Sequence, residues 1–186
     1  TSLISSGQVN LIGQWSGGGW LLHTGVGGGG YYIAIYNLSG QVEVFNLPNI
    51  ADDVWHNLIV VKSNSGLTCL LDNSSVGTGS SSGAIAASSE FRIAATADNG
   101  GSKFNGQIDA VGIWNRALTE AEISELYNSG TGYEYSQPVN LTTGLQAFYR
   151  LSDVTDASGN GNTLTNNNGV TFSSGKIGDA AVFDGN

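Results

Sequence analysis

Short apolar runs separated by clusters of glycine, serine and asparagine fill most of this chain. Runs of that length, bounded by turn residues, predict β-strands rather than helices. Residues 31–38 alternate most clearly, with Tyr31, Ile33 and Ile35 on one face and Tyr32, Ala34 and Tyr36 on the other. Further strands are expected at 9–14, 20–24 and 41–47, with turns at 5–7, 17–19, 27–30 and 39–40. Residues 57–63 (NLIVVKS) and 67–72 pair as a hairpin across 64–66, and 76–78 continues that edge. Residues 79–83 read as a linker, and 91–95 as another strand.

One stretch changes period. In residues 104–130 (FNGQIDAVGIWNRALTEAEISELYNSG), Ile108, Val111, Ile113 and Trp114 fit a half-buried strand with imperfect alternation. Asn115 and Arg116 make a corner. Thr119 and Glu122 then have the spacing of a capping box, with Leu118 and Ile123 at the positions of a hydrophobic staple. Ile123, Leu126 and Tyr127 share one helical face, and Gly130 is expected as the left-handed cap. The prediction is one short helix over 119–129 in a chain otherwise made of strands. Residues 132–140, with Pro138, read as a connector, and new text begins at Gly144.

Composition narrows the function classes. The 186 residues are 40% apolar and 11% charged, which suits a globular chain with one sizeable core. Six Lys and Arg stand against fifteen Asp and Glu, a formal charge of −9. A phosphate backbone would be repelled, so no nucleic-acid partner is expected. Acidic loops suit a hard cation such as Ca²⁺ and equally suit a merely soluble surface. No run is apolar enough to span a bilayer, so no membrane insertion is expected. Cys69, in LTCLLD, reads as a small buried hydrophobe. The first residue is Thr1, not Met, so the natural start is expected elsewhere.

The 104–130 stretch resembles the closing motif of LamG-like jelly-roll domains, in the concanavalin A-like lectin/glucanase superfamily. WHNLIVVKSNSGLTCLLDNSSVGT is similar to that family's Trp-His strand and hairpin, with Asn73 where the family usually has Gly. Residues 144–186 resemble the family's opening text: GLQAFYRL, then DASGNGN, then GKIGDAAVFDG. The back of the domain (1–135) thus precedes a linker (136–143) and the front (144–186). This is either a permuted single sandwich or a front part completing a neighbouring copy. Between the usual front end and the usual continuation the family has further strand text that is missing here, on the order of ten to twenty-five residues.

The resemblance implies an all-β, two-sheet antiparallel jelly-roll sandwich. It also implies an extracellular, cell-surface or virion-surface module for adhesion, glycan binding or assembly. An incomplete sandwich exposes strand edges, so the expected partners are other copies of the chain, by strand exchange.

Candidate chemistry is sparse. The 156–162 loop (DASGNGN) combines turn glycines with oxygens from Asp156, Asn160 and Asn162. It reads as a cation loop or as an Asx-turn without metal. In LamG-like domains this loop often holds structural Ca²⁺, which implies Asp109 as a ligand from the other segment. The Glu-x-Asp-x-x-Glu strand motif of the superfamily's glucanases does not occur, and glycoside hydrolysis needs such paired acids, so no enzyme is expected. Neither His23 nor His56 stands in a catalytic pattern. Trp20, Tyr31, Tyr32 and Tyr36 are the candidates for sugar stacking, against the alternative of ordinary packing.

Overall fold

The protein is described by a computed structural model covering residues 7–15, 19–27, 30–36, 42–48, 50, 52–80, 90–95, 103–135 and 141–186. For several residues of the first four strands only the backbone is described. Of the turns expected at 5–7, 17–19, 27–30 and 39–40, residues 5–6, 17–18, 28–29 and 39–40 lie outside the described residues, as do 81–83 of the linker-like 79–83 and 136–140 of the connector.

Among the described residues thirteen strands follow one another as β1 (Gly7–Trp15), β2 (Gly19–Gly27), β3 (Gly30–Tyr36), β4 (Val42–Leu47), β5 (Leu58–Ser63), β6 (Gly66–Leu71) and β7 (Ser74–Gly79), then β8 (Arg92–Ile93), β9 (Asn105–Ile108) and β10 (Val111–Trp114), and, after the helix α1 (Glu120–Tyr127), β11 (Leu145–Tyr149), β12 (Thr171–Ser174) and β13 (Asp179–Asp184). All pairings are antiparallel. The architecture is the expected all-β sandwich. Its hydrogen-bonded ladders fall into four groups: β4-β3-β2-β1-β8, β5-β6-β7, β10-β11 and β12-β13-β9.

The main core lies between the first two groups. Leu22, Phe45 and Leu47 from the five-stranded sheet cluster with Leu67, Cys69 and Leu71 of β6. Their spacing of two along each strand is the half-buried alternation of an antiparallel sheet. Phe45 lies so close over β7 that a Cβ on Gly77 would sit 2.6 Å from its ring. A second cluster joins Ala147, Tyr149 and Leu151 to Ala181. It forms because β11 pairs with β10 and β13 pairs with β9, so residues 144–186 add strands to the text that precedes them.

Two local expectations need correction. The strand expected through Ile108 and Trp114 is two strands, broken at Asp109-Ala110, where Ala110 turns left-handed (φ 50). The imperfect alternation marked that break. The helix has the expected Thr119–Glu122 capping box, but it ends at Asn128, left-handed at φ 47, before Gly130 is reached. Asparagine tolerates that conformation better than other non-glycine residues. The same tolerance explains Asn73, at φ 63 in the two-residue turn from β6 to β7, where the family usually has Gly.

Candidate functional site

Among the described residues β5 has a neighbour on one side only, β6. The register settles which backbone groups that leaves over. Asn57 O accepts from Asp72 N at 2.9 Å, and the hairpin closes at Ser63↔Gly66. Hydrogen-bonded pairs alternate along an antiparallel ladder, so Asn57, Ile59, Val61 and Ser63 face β6. Leu58, Val60 and Lys62 therefore turn their N–H and C=O groups outward, to an edge with no strand on it among the described residues. The side chains tell the same story. Leu58 and Val60 stand opposite Leu71 and Cys69 and pack on the main core, yet every residue of β5 is only half-buried.

β10 has the same condition. Its neighbour β11 directs the polar groups of Phe148 away: Phe148 N donates to Asp156 Oδ1 at 3.0 Å and Phe148 O accepts from Ala157 N at 2.7 Å. Gly112 stands opposite Phe148, so its own N–H and C=O also point away from β11. A Cβ at Gly112 would meet the Trp114 ring at 2.4 Å, so glycine is what lets that ring fold back. Trp114 is held there by Nε1 donating to Leu141 O at 2.7 Å.

Both strands line one cleft of about 1610 Å³, to which all of β5 and Gly112–Trp114 contribute. Leu22, Phe91 and Tyr149 also line it. A cavity for a drug-sized ligand spans roughly 300–1,000 Å³, so this one is large for a small molecule. Val54, 63% exposed, and Trp55 sit at the start of β5, also on the cleft.

Two charged clusters fix the cleft's frame. His56 Nδ1 lies 2.7 Å from Asp72 Oδ2 and Nε2 lies 3.1 Å from Asp52 Oδ1. Burial works to lower the His56 pKa, but the two carboxylates outweigh it and hold it raised. Asp72 Oδ1 also accepts from Asn57 N at 2.8 Å, so this group anchors the first residue before β5. Behind β10, Arg116 Nη1 and Nη2 make a forked pair with Glu122 at 2.8 and 2.5 Å, and Arg116 Nε donates to Thr143 O at 2.7 Å. The Arg116 guanidinium, with the Thr119 N–H, holds the Glu122 pKa at about 2. Glu122 was expected as a helix cap and is one. Its pairing with Arg116 has a signal in the Arg116-to-Glu122 spacing that sequence reading passed over. The Asp52–His56–Asp72 cluster had only the i,i+4 spacing of Asp52 and His56 to announce it.

The calcium set expected from the resemblance divides in two. Asp156 is buried, and its Oδ1 accepts from Phe148 N and Ser158 N while Oδ2 accepts from Asn162 N, all within 2.9–3.0 Å. Burial raises its pKa, but hydrogen bonds from Ser158, Phe148 and Asn162 outweigh that and lower it. Asn160 Nδ2 donates to Leu145 O and Gln146 O, and Asn162 Nδ2 donates to Gln146 O. Asp156, Asn160 and Asn162 thus come together as a clasp on β11. Asp109 belongs elsewhere: its Oδ2 accepts from Lys176 N and Ile177 N, both at 2.8 Å, and its buried Oδ1 has no hydrogen-bond partner. Burial, acting before those two bonds, leaves its pKa raised. The residues present do not fit one shared Ca²⁺ cage, because the Asp156 carboxylate already serves as the hub. No cluster of three or more His, Cys, Asp or Glu side chains that could hold a metal occurs among the described residues.

Trp20 lines the cleft, half-buried, with Nε1 donating to Gln14 Oε1 at 3.2 Å and its ring 6.2 Å from that of Phe91. Tyr31, Tyr32 and Tyr36 lie on β3, and their side chains fall outside the described residues. Cys69 is buried, and burial pushes its thiol to about 12, out of the nucleophilic range. Among the described residues no helix is long and apolar enough to cross a membrane.

No curated protein and no solved structure matches the chain. A family profile described as "Concanavalin A-like lectin/glucanases superfamily", of laminin G type, matches residues 2–124, and on that match the chain belongs to this superfamily.

Proposed function

We propose that this chain is a non-catalytic structural or adhesive module that assembles with other copies by strand complementation, in an extracellular, cell-surface or virion-surface setting. The observation that supports the reading is the cleft, lined by residues of both β5 and β10, two strands with a neighbour on one side only among the described residues. Unpaired strand edges invite pairing with another chain, and proteins that keep them open in isolation risk aggregation. Strand addition supplies main-chain hydrogen bonds for affinity and alternating side-chain positions for specificity. The absence of the paired-acid motif from the sequence and the inert Cys69 support a binding role over a catalytic one.

The test is the molecular mass in solution by light scattering across a concentration series, with and without a calcium chelator. Multimers are expected, and they persist in the chelator. A stable monomer at every concentration overturns the reading. It moves the function to glycan binding, with Trp20 at the cleft as the first stacking candidate.

A further inference from the structure

The two free edges are specific enough to name the joint. We propose that the cleft between β5 and β10 is the acceptor slot for one extended segment of a second copy, held by the outward N–H and C=O groups of Leu58, Val60 and Lys62 on one side and of Gly112 on the other. This rests on the assembly reading and says where assembly happens.

The donor's chemistry follows from the walls. Three outward positions at every second residue span a donor of about six residues, roughly 20 Å of extended chain. The donor face turned to the core meets Leu22, Phe91 and Tyr149, so it carries apolar residues at alternate positions.

Charge argues for a second copy as the source. Lys62, Arg116 and Lys176 line the cleft, three of the chain's six basic residues in a molecule of formal charge −9. Arg116 is already paired with Glu122. Of the cleft's carboxylates, Asp72 is engaged by His56, and Asp109 takes the backbone N–H groups of Lys176 and Ile177. Among the described residues Lys62 Nζ reaches only the neighbouring Ser63 carbonyl, at 3.0 Å. A partner rich in carboxylates complements that wall, and another copy, with fifteen Asp and Glu, is such a partner.

The experiment is residue-resolved amide hydrogen exchange on the wild-type chain at dilutions where it is monomeric and at concentrations where it is assembled. The Leu58, Val60 and Lys62 amides are expected to exchange at least about tenfold more slowly in the assembly, while Ile59 and Val61, already bonded to β6, change little. Val60→Pro removes an outward donor and leaves the β5–β6 hydrogen bonds in place but also trims a side chain that packs on the core, so circular dichroism first checks that it folds; folded, it is expected to stay monomeric. Lys62→Glu is expected to weaken association about tenfold. Multimers whose Leu58, Val60 and Lys62 amides exchange as fast as in the monomer overturn the slot and leave the assembly reading standing. A wild-type chain that never associates overturns both.

Discussion

Among the described residues β11 and β5 each have one side without a neighbouring strand, and the two sides differ in what covers them. On β11 the bare side is clothed by one loop. Asp156 takes the Phe148 N–H, Asn160 caps the Leu145 and Gln146 carbonyls, and Asn162 caps Gln146 again. The loop backbone adds Ala157 N to Phe148 O. On β5 the corresponding groups of Leu58, Val60 and Lys62 meet no such loop among the described residues, and the strand is half-buried throughout. Side chains can close a strand edge as well as a strand can, so the difference between the two edges, as far as the described residues show it, is the one on which the assembly proposal rests.

The sharpest way to break the contrast is to unclothe β11. Asp156→Ala strands the Phe148 N–H and frees the Ser158 and Asn162 N–H groups at a site that is 6% exposed. Unsatisfied buried donors cost about 1–3 kcal/mol each, so we expect a loss of about 3 kcal/mol. For a chain of this size that lowers Tm by about 6–12 °C. Thermal unfolding followed by circular dichroism checks it. Excess Ca²⁺ is expected to leave the loss unchanged, since the carboxylate's partners are N–H groups. A shift under about 2 °C would mean the clasp is ornamental.

How far this contrast could be read in the sequence differs between the two edges. The clasp was partly legible. DASGNGN announced a tight polar loop, and the Asx-turn geometry weighed there describes the bond from Ser158 N to Asp156 Oδ1 well. What could not be read was that Asn160 and Asn162 would bond a strand fifteen residues back, because nothing in spacing fixes a loop's tertiary partner. The helix was legible because a capping box is local chemistry, spanning four residues. The bare edge of β5 had no signal of its own in the sequence. NLIVVKS reads the same with or without a neighbour on its far side. Which backbone groups point outward depends on the hairpin register, and that is known only once Ser63 is seen opposite Gly66.

The next effect concerns the corner that presents β10. Glu122 closes the capping box and holds Arg116, which in turn holds Thr143 O. Glu122→Gln keeps the shape and removes the charge, and we expect a loss of about 1 kcal/mol at neutral pH, in the range of a weakened cap. The Glu122 pKa is depressed in the folded chain, from 4.5 to about 2. Its contribution is therefore complete above the unfolded value and is lost as pH falls from there toward 2. Urea midpoints between pH 5 and pH 2 are expected to fall less steeply in Glu122→Gln than in the wild type. Parallel slopes would show that the forked pair contributes nothing beyond the cap.

A smaller effect tests the clasp piecewise. Asn160→Ala removes the bonds to Leu145 O and Gln146 O from an exposed side chain. Water replaces part of what is lost, so about 0.5–1 kcal/mol is expected. If Asn160→Ala also promotes association, the exposed β11 edge has become a second docking edge, and the difference between clothed and bare edges is causal. If association is unchanged, clothing by Asp156 alone suffices to keep β11 single.

The smallest effect lies at the entrance to β5. His56 bridges Asp72 and Asp52, and Asp72 also receives Asn57 N, so the imidazole ties the loop before β5 to the β6–β7 turn. With carboxylates on both ring nitrogens, the bridge is complete only when both nitrogens carry protons. The folded pKa is raised above 6.5, so the bridge contributes fully below 6.5 and its contribution is lost as pH rises through the folded value. Stability measured by urea unfolding is thus expected to decline gently from pH 6 to pH 8, and His56→Gln is expected to flatten that decline. The same substitution sharpens the larger contrast. If the bridge only stabilises the fold, His56→Gln shifts the urea midpoint and leaves the multimer mass as it was. If it holds Val54 and Trp55 in place at the cleft, association weakens with rising pH in the wild type and becomes independent of pH in the variant, which would make the open edge of β5 an edge whose readiness depends on one proton.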